Sequence, residues 1–497
     1  MDNPSLVGTL MSAPSSRGDD LHRLSHEVEW LEIRADLVGD LDVGWIRSHF
    51  SGRLLFTLRS TAEGGCFDGS VGDRHRWLLR AASQYDAIDL EGDRDLVPRL
   101  LRRVPPAKRL ISWTGSSADV GRLRARAHAI TSVPAWLYSL SVPAKSSRDG
   151  LVPLNLLRTL DRRDVVAYAT GEAGFWSRVV APHFGAPVVF GIANTQEASL
   201  GQPTISQLIQ DYGFPEPPPL RALYGIVGDP VGHSLSPRLH NAGYRALGLP
   251  CLFVPFQEAS FDGFWTQMVQ NNAIESLGVS LNGLTVVSPH KEAALTAGVS
   301  GSAMVQRAFS TNIFTKNGHR WTADTTDPEG TVLALRTRGI PITHQKTAVI
   351  GCGGAGRAVA AALDELGANV TLVNRSAARG QQAQMRLGLP FVPLSAFSPD
   401  DYSMVVNATP LGRQGEALPF DVRRMRMGGS VIDLAYGREL TPLIRQALAL
   451  GLTAIDGLEV LRIQVLRQFH LMTNAELPPD LCREELGLPD RELAAAR

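Results

Sequence analysis

Short apolar runs punctuate the first two hundred or so positions: Leu6–Met11, Trp30–Ile33, Leu54–Leu58, Ala87–Leu90, Arg109–Trp113, Trp136–Ser141, Val165–Ala169 and Val188–Ile192, with helically patterned stretches between them. Runs this short, flanked by polar turns, predict buried strands. Eight of them alternating with helices predict a (β/α)8 barrel, whose site lies at the C-terminal strand ends. The pattern then breaks at Gly213-Phe214-Pro215-Glu216-Pro217-Pro218-Pro219, where clustered prolines predict an extended connector. Beyond it, Leu223–Val227, Leu252–Pro255 and Thr285–Val287 read as strands, a second α/β series starts near Thr347, and Leu458–Leu471 reads as a closing helix. The expected organisation is a barrel over 1–213, a linker over 214–222 and a substrate domain over 223–328. A Rossmann-like nucleotide domain follows over 329–456, with C-terminal helices over 457–497 returning to the substrate domain. The cleft between the last two domains is the expected site.

Length agrees, since 497 residues exceed what one core organises. Lysine plus arginine equals aspartate plus glutamate at 49 each, so no net field recruits nucleic acid or an anionic membrane. Small-molecule partners are expected, in a monomer or homodimer. Cys66, Cys251, Cys352 and Cys482 are widely spaced and form no metal-ligand pattern, which predicts free thiols and no structural metal. No apolar run approaches the ~18–20 residues that span a bilayer. The start Met1-Asp2-Asn3-Pro4 lacks a signal peptide's basic segment, so a cytoplasmic location is expected.

The polar residues at the barrel's strand ends include Glu32, Arg34, Arg59, Glu63, Asp89, Glu91, Arg178 and Gln202, a set whose arginines suit an anion. In the second half, Ala348-Val349-Ile350 reads as a strand, Gly351-Cys352-Gly353-Gly354-Ala355-Gly356-Arg357 as a phosphate-binding turn, and Arg357–Leu366 as the helix after it. The next strand, Asn369–Val373, ends in Asn374-Arg375-Ser376 with Arg379 beyond. An NAD enzyme usually carries a carboxylate there. Arginine suits a 2′-phosphate, so NADP is the expected cofactor. Lys291 in Pro289-His290-Lys291-Glu292, where the chain is expected to leave a strand and start a helix, is a proton donor in search of a partner. Asp327, expected at a strand-to-helix junction, is the carboxylate that can orient it.

These residues carry a resemblance. Gly228-Asp229-Pro230-Val231-Gly232-His233-Ser234-Leu235-Ser236-Pro237 with Leu239-His240-Asn241, then Lys291, Asp327 and the glycine turn, resemble the shikimate dehydrogenase family over the whole second half. The resemblance implies NADP-dependent, reversible reduction of 3-dehydroshikimate to shikimate, within the shikimate pathway of aromatic biosynthesis. It implies that Ser234 and Ser236 hold the carboxylate, that Lys291 and Asp327 are catalytic, and that Asn312 (or Ser310, by a small alignment shift) and Gln464 meet hydroxyls. Val287 and Tyr436 fall on the substrate side. Asn407, Leu434 and Gly457 fall on the cofactor side. The family's Gly-x-Asn-Val-Thr-x-Pro reads Gly283-Leu284-Thr285-Val286-Val287-Ser288-Pro289 here, which leaves quinate or a related hydroxy acid open as substrate.

The first half resembles type I 3-dehydroquinate dehydratase in Glu32-Ile33-Arg34-Ala35-Asp36, Phe56-Thr57-Leu58-Arg59-Ser60, Ser177-Arg178 and Gly201-Gln202-Pro203-Thr204. That family forms a Schiff base on lysine and moves protons with histidine. Thr114 and Ser139 stand at those places, and Lys145, past Pro143, is the nearest amine. The implied barrel binds without turning over, with a fully bifunctional enzyme or a metabolite sensor as the alternatives.

Overall fold

A computed structural model of the chain describes residues 3–193, 201–413, 415–437 and 439–488. By internal contacts the described chain forms two compact units. One is 1–223 with 230–259 and 263–281; the other is 224–229, 260–262 and 282–497. Only part of the expected barrel end and of the expected 457–497 segment lies within the described residues.

The first unit holds β1 (Ser5–Leu10), β2 (Trp30–Arg34), β3 (Arg53–Thr57), β4 (Ala87–Glu91), β5 (Arg109–Thr114), β6 (Leu137–Pro143), β7 (Val165–Thr170) and β8 (Val188–Ile192). All eight expected strands form, within a residue or two of their anticipated ends, in one sheet ordered β7-β6-β5-β4-β3-β2-β1-β8. Neighbouring strands in this order pair in parallel. The fold departs from a fully closed barrel in one respect: β7 and β8 end the order, and among the described residues no ladder joins them. Strand alternation gathers the polar side chains on one face. Register places Thr9 beside Glu32, Glu91 beside Ser112, Ser112 beside Ser139, Thr114 beside Ser141, and Ser141 beside Tyr168.

The segment after the proline connector packs on this barrel as part of the same unit. Arg238 Nε lies 2.7 Å from Asp211 Oδ1, and the Ser147 amide donates to Glu258 at 2.6 Å. The Trp176 and Phe256 rings sit 5.5 Å apart. Contact therefore divides the chain inside the expected substrate domain, because the barrel's last helices present apolar and ionic partners to 230–259.

The remaining strands are β9 (Ala222–Gly228), β10 (Cys251–Gln257), β11 (Ser280–Val286), β12 (Ser300–Gly301), β13 (Ile313–Asn317), β14 (Arg320–Asp324), β15 (Lys346–Ile350), β16 (Asn369–Asn374), β17 (Phe391–Pro393), β18 (Met404–Asn407), β19 (Ser430–Asp433) and β20 (Thr453–Ile455). In the second unit β13 runs antiparallel to β11 and β14. The nucleotide sheet is parallel throughout, in the order β17-β16-β15-β18-β19-β20. Its central strands β15, β18 and β19 are buried on both faces, the reason they read as near-continuous apolar runs. Val349, Ile432, Val359 and Leu363 pack with Val460 and Ile463 on one side, and Ile350, Val405, Val431 and Leu443 on the other. The helix Gly457–Thr473, anticipated as Leu458–Leu471, thus closes one face of the nucleotide sheet. Among the described residues no helix is long and apolar enough to cross a membrane.

Candidate active site

Lys291 sits in a turn after β11, just before the 3-10 helix Ala293–Ala297. The strand stops at Val286, one residue short of the expected Thr285–Val287 end, so Val287 lies in the exit turn, where its amide donates to Val227 O at 3.0 Å. Thr285 is buried and its hydroxyl donates to Gly225 O at 3.4 Å. Asp327 opens the helix Asp327–Thr337, where the backbone N–H groups favour a carboxylate. The two expected partners meet: Lys291 Nζ lies 2.8 and 2.6 Å from the Asp327 oxygens.

A polar frame holds this pair. Asn312 Nδ2 and Gln464 Nε2 each donate to Asp327 Oδ1 at 3.0 Å. Asn312 Oδ1 accepts from the Thr326 amide at 2.8 Å, its Nδ2 donates to Thr326 Oγ1 at 3.0 Å, and Gln468 Nε2 donates to the same oxygen at 2.9 Å. Asp327, Asn312, Thr326 and Gln468 are buried. The carboxylate is therefore fixed by neutral donors while the ammonium keeps partial exposure, 17% for Lys291 against 4% for Asp327. Between Asn312 and its alternative, the frame takes Asn312, since Ser310 donates instead to Gly354 O at 3.0 Å. Thr326 and Gln468 escaped the sequence reading. The available signal was spacing: Gln468 stands one helical turn after Gln464, on the same face.

The glycine turn leads into the helix Gly354–Glu365. A Cβ on Gly356 would stand 1.8 Å from Gly351 O, so only glycine allows the turn to close this tightly. A Cβ on Gly353 would meet nothing within 4 Å, so the turn is open on that side, while Lys291 and Ser310 crowd Gly354. The amides of a helix N-terminus with open space beside them suit a dinucleotide's phosphates. Asn374 Oδ1 accepts from the Cys352 amide at 3.1 Å, tying the end of β16 to the turn. Arg375, Ser376 and Arg379 follow, all exposed, with no acidic side chain among them. These residues fit an NADP.

Three expected cofactor residues are structural in their side chains or packing. The Arg357 guanidinium is buried and donates to Ala308 O and Phe309 O at 2.8 Å each and to Cys352 O at 3.0 Å, while pairing with Glu292, so it faces protein and not the open side of the turn. Asn407 Nδ2 donates to Asp433 Oδ1 at 2.8 Å, and burial pushes the Asp433 carboxyl up to about 6 against the pull of the Thr441 hydroxyl and Ala435 amide. Gly457 is needed because a Cβ there would stand 2.4 Å from Ala435 O. The Leu434 amide donates to Asn407 O at 2.9 Å, and the Arg413 guanidinium lies 5.5 Å from the Tyr436 ring. Ser234 and Ser236 belong to the first unit, at the start of the helix Ser236–Ala246, where Ser234 Oγ accepts from the Ser236 amide at 3.2 Å.

In the barrel, Glu32 is buried and accepts from the Thr9 and Thr57 hydroxyls at 2.7 and 2.8 Å. Arg34 is held by Asp36 at 2.8 Å. Arg59 lies 2.9 Å from Asp89 and 3.3 Å from Thr114 Oγ1; burial would lower its pKa, but Asp89 and Glu32 outweigh that and raise it. Burial pushes Asp89 up to about 6, opposed by Arg59. Arg178 is buried with its Cζ 3.8 Å from the Tyr168 ring centroid, and among the described residues its Nε has no hydrogen-bond partner. Gln202 Nε2 approaches Thr9 Oγ1 at 3.5 Å. Thr114, at the histidine position, accepts from Ser141 at 3.2 Å. Lys145 is exposed.

Glu63 is buried against this set, and its Oε2 accepts from the Thr114 amide at 2.6 Å. Burial pushes its carboxyl from 4.5 up to about 7, helped by Glu91 and opposed by the Thr114 amide and Arg59. A carboxyl raised on folding stabilises the protein fully below its unfolded pKa, and that contribution is lost as pH rises through the folded value. Glu63→Gln is therefore expected to melt with wild type near pH 4.5 and above it at pH 8, by on the order of 2 kcal/mol after solvent screening. Thermal midpoints of both proteins across that range check this; a gap that narrows towards pH 8 contradicts it.

A parallel nucleotide sheet with a glycine turn, and beside it a lysine clasped by an aspartate at a helix start, define a nicotinamide-dependent oxidoreductase of the two-part α/β class. Comparison with known proteins makes the class specific. Residues 226–312 match the shikimate dehydrogenase substrate binding domain, and residues 9–216 match type I 3-dehydroquinase. A shikimate dehydrogenase (NADP(+)) from Methanocella arvoryzae is 32% identical over 53% of this chain and 97% of its own length. One from Acidiphilium cryptum is 37% identical over 50% and 88%. A bifunctional 3-dehydroquinate dehydratase/shikimate dehydrogenase, chloroplastic, from Arabidopsis thaliana is 26% identical over 96% of this chain and 84% of its own length. The chain belongs to the shikimate dehydrogenase family, with a type I dehydroquinase domain ahead of the dehydrogenase.

Proposed function

We propose that the chain is an NADP-dependent shikimate dehydrogenase that interconverts 3-dehydroshikimate and shikimate, and that its barrel binds a ligand of the dehydroquinase type without converting it. The Lys291–Asp327 pair within its frame of neutral donors carries the first part of this reading. A bound NADP supplies or accepts the hydride. The Gly353–Gly356 amides, Asn374, Arg375, Ser376 and Arg379 are the residues that would hold it. Lys291 Nζ gives a proton to the substrate oxygen during reduction and takes it back during oxidation. Asp327 keeps the ammonium aimed and favours its charged form. Asn312 and Gln464 hold Asp327 so that it does not swing away when the lysine charge changes, and Gln464 keeps a second proton for a substrate hydroxyl. Ser234 and Ser236 supply hydroxyls for the substrate carboxylate, as their motif implies.

The barrel reading rests on what stands at the chemical positions. A serine or threonine hydroxyl cannot form an imine with a ketone, and Lys145 is exposed on the turn after β6. The full-length likeness to a bifunctional plant enzyme supports the second reading, a dehydratase that works by other means. Assaying purified protein with shikimate, quinate and 3-dehydroquinate, each with NADP or NAD where a cofactor is needed, separates them.

Arg375 sets the cofactor choice in this reading. A guanidinium on a 2′-phosphate contributes about 1.5–3 kcal/mol that NADH cannot gain. Arg375→Ala is expected to reduce the NADP-over-NAD preference by about one to two orders of magnitude. An unchanged ratio of kcat/KM values would place the phosphate elsewhere.

A further inference from the structure

Glu292 follows the proton-donating lysine directly, and three arginines surround its carboxylate. Arg357 Nη1 lies 2.8 Å from Oε1, Arg379 Nη2 3.7 Å from Oε1, and Arg386 Nη1 4.0 Å from Oε2. The three are not equivalent. Arg357 is buried, 3% exposed, and its remaining hydrogen bonds go to backbone carbonyls on both sides of the interval between the Lys291 turn and the glycine turn: Ala308 O, Phe309 O and Cys352 O. It acts as a rivet, and Glu292 is the end of it that belongs to the lysine segment. Arg379 is 66% exposed, stands three residues after Ser376, and has Glu292 as its carboxylate neighbour. Arg386 is packed over the Phe309 ring at 4.7 Å.

The Lys291 turn has little freedom against the glycine turn. A Cβ on Gly354 would stand 2.8 Å from Lys291 Cβ and 3.0 Å from Ser310 Cβ, and the Thr311 amide donates to Lys291 O at 3.0 Å. A proton donor packed this closely on the helix start that takes the phosphates keeps its aim only while the two turns stay in register. In proton transfer, a misplacement of about 1 Å costs on the order of a hundredfold.

We infer that Glu292 is a positioning residue of the reaction: through Arg357 it fixes the Lys291 turn on the dinucleotide turn, and its carboxylate competes with the cofactor's 2′-phosphate for Arg379 and Arg386. The inference rests on Lys291 being the proton donor and NADP the cofactor. Glu292 acts through Arg357, Arg379 and Arg386. It sets where the lysine points and how much arginine charge is left for the phosphate.

The test is steady-state kinetics of the full chain carrying Glu292→Gln, with Glu292→Asp and Lys291→Ala measured beside it, in both cofactors. Glutamine is near in size, and the site is a third exposed, so the fold is expected to persist; thermal midpoints check that. In Glu292→Gln, kcat is expected to fall by about tenfold with either cofactor, and the KM for shikimate to stay within about twofold. The KM for NADP is expected to fall by roughly three- to tenfold at low salt and less at high salt, while the KM for NAD stays put. Glu292→Asp, which keeps the charge but shortens the reach to Arg357, is expected to lose kcat and keep the wild-type cofactor ratio, and it carries the test of position if the glutamine variant does not fold. A kcat within twofold of wild type in both variants, or NADP and NAD constants that move together, overturns the inference. Substantial turnover in Lys291→Ala would instead overturn the proton-donor assignment, a separate failure visible in a separate variant.

Discussion

Lys291→Ala is expected to lose roughly 10²–10⁴-fold in kcat, with a much smaller change in the KM for shikimate, because proton transfer matters most in the transition state. Three features of the site make the loss large. The ammonium is held at 2.6 and 2.8 Å by Asp327, so its position is set before substrate arrives. Asp327 is itself fixed by Asn312 and Gln464, both neutral, and among the described residues Lys291 is the cation paired with it. His290, the neighbour in sequence, is buried and its ring packs 6.3 Å from that of Phe261. Alanine also leaves Asp327 buried without its counter-charge, a stability cost of several kcal/mol for an uncompensated buried ion. Activity and thermal midpoint should therefore both fall, and burst-free kinetics in each direction, forward and reverse, should be affected alike. A variant that keeps most of the wild-type turnover would remove lysine from the mechanism.

Incubated with 3-dehydroquinate and borohydride, the protein is expected to gain no mass, and no 3-dehydroshikimate is expected to accumulate. Schiff-base chemistry needs an amine, and among the described residues Ser139 and Ser141 occupy β6 while Thr114 on β5 is bound up with Arg59 and Ser141. Binding is a different matter. Arg178 is buried with one N–H unsatisfied among the described residues, and an orphaned buried donor on a cation costs free energy that an anionic ligand would recover. Saturable binding lost in Arg178→Ala is thus expected. An adduct on Lys145 or another barrel lysine, together with steady product, would falsify the pseudoenzyme reading and restore the bifunctional one; absence of any binding would leave the barrel a scaffold.

The sequence determined the elements and much of the chemistry. All eight barrel strands, the glycine turn, the strand ending in Asn374-Arg375 and the closing helix were legible from apolar periodicity and turn residues, since buried strands and helix starts impose local composition. Lys291 and Asp327 were legible as a pair from the resemblance and from their positions at element ends. What needed the tertiary structure was every contact between residues far apart in the chain. Nothing local in 230–259 announces that it packs on the barrel, because that depends on Asp211, Ser147 and Trp176 meeting it. The turn's Arg357 reads as a phosphate ligand until its guanidinium is seen spent on three carbonyls and Glu292. Thr326, Gln468 and the arginines around Glu292 likewise acquire their roles only from long-range placement. Periodicity records which face of an element is buried, whereas the partner of a polar group is fixed by where the rest of the chain comes to lie, and no single segment carries that information.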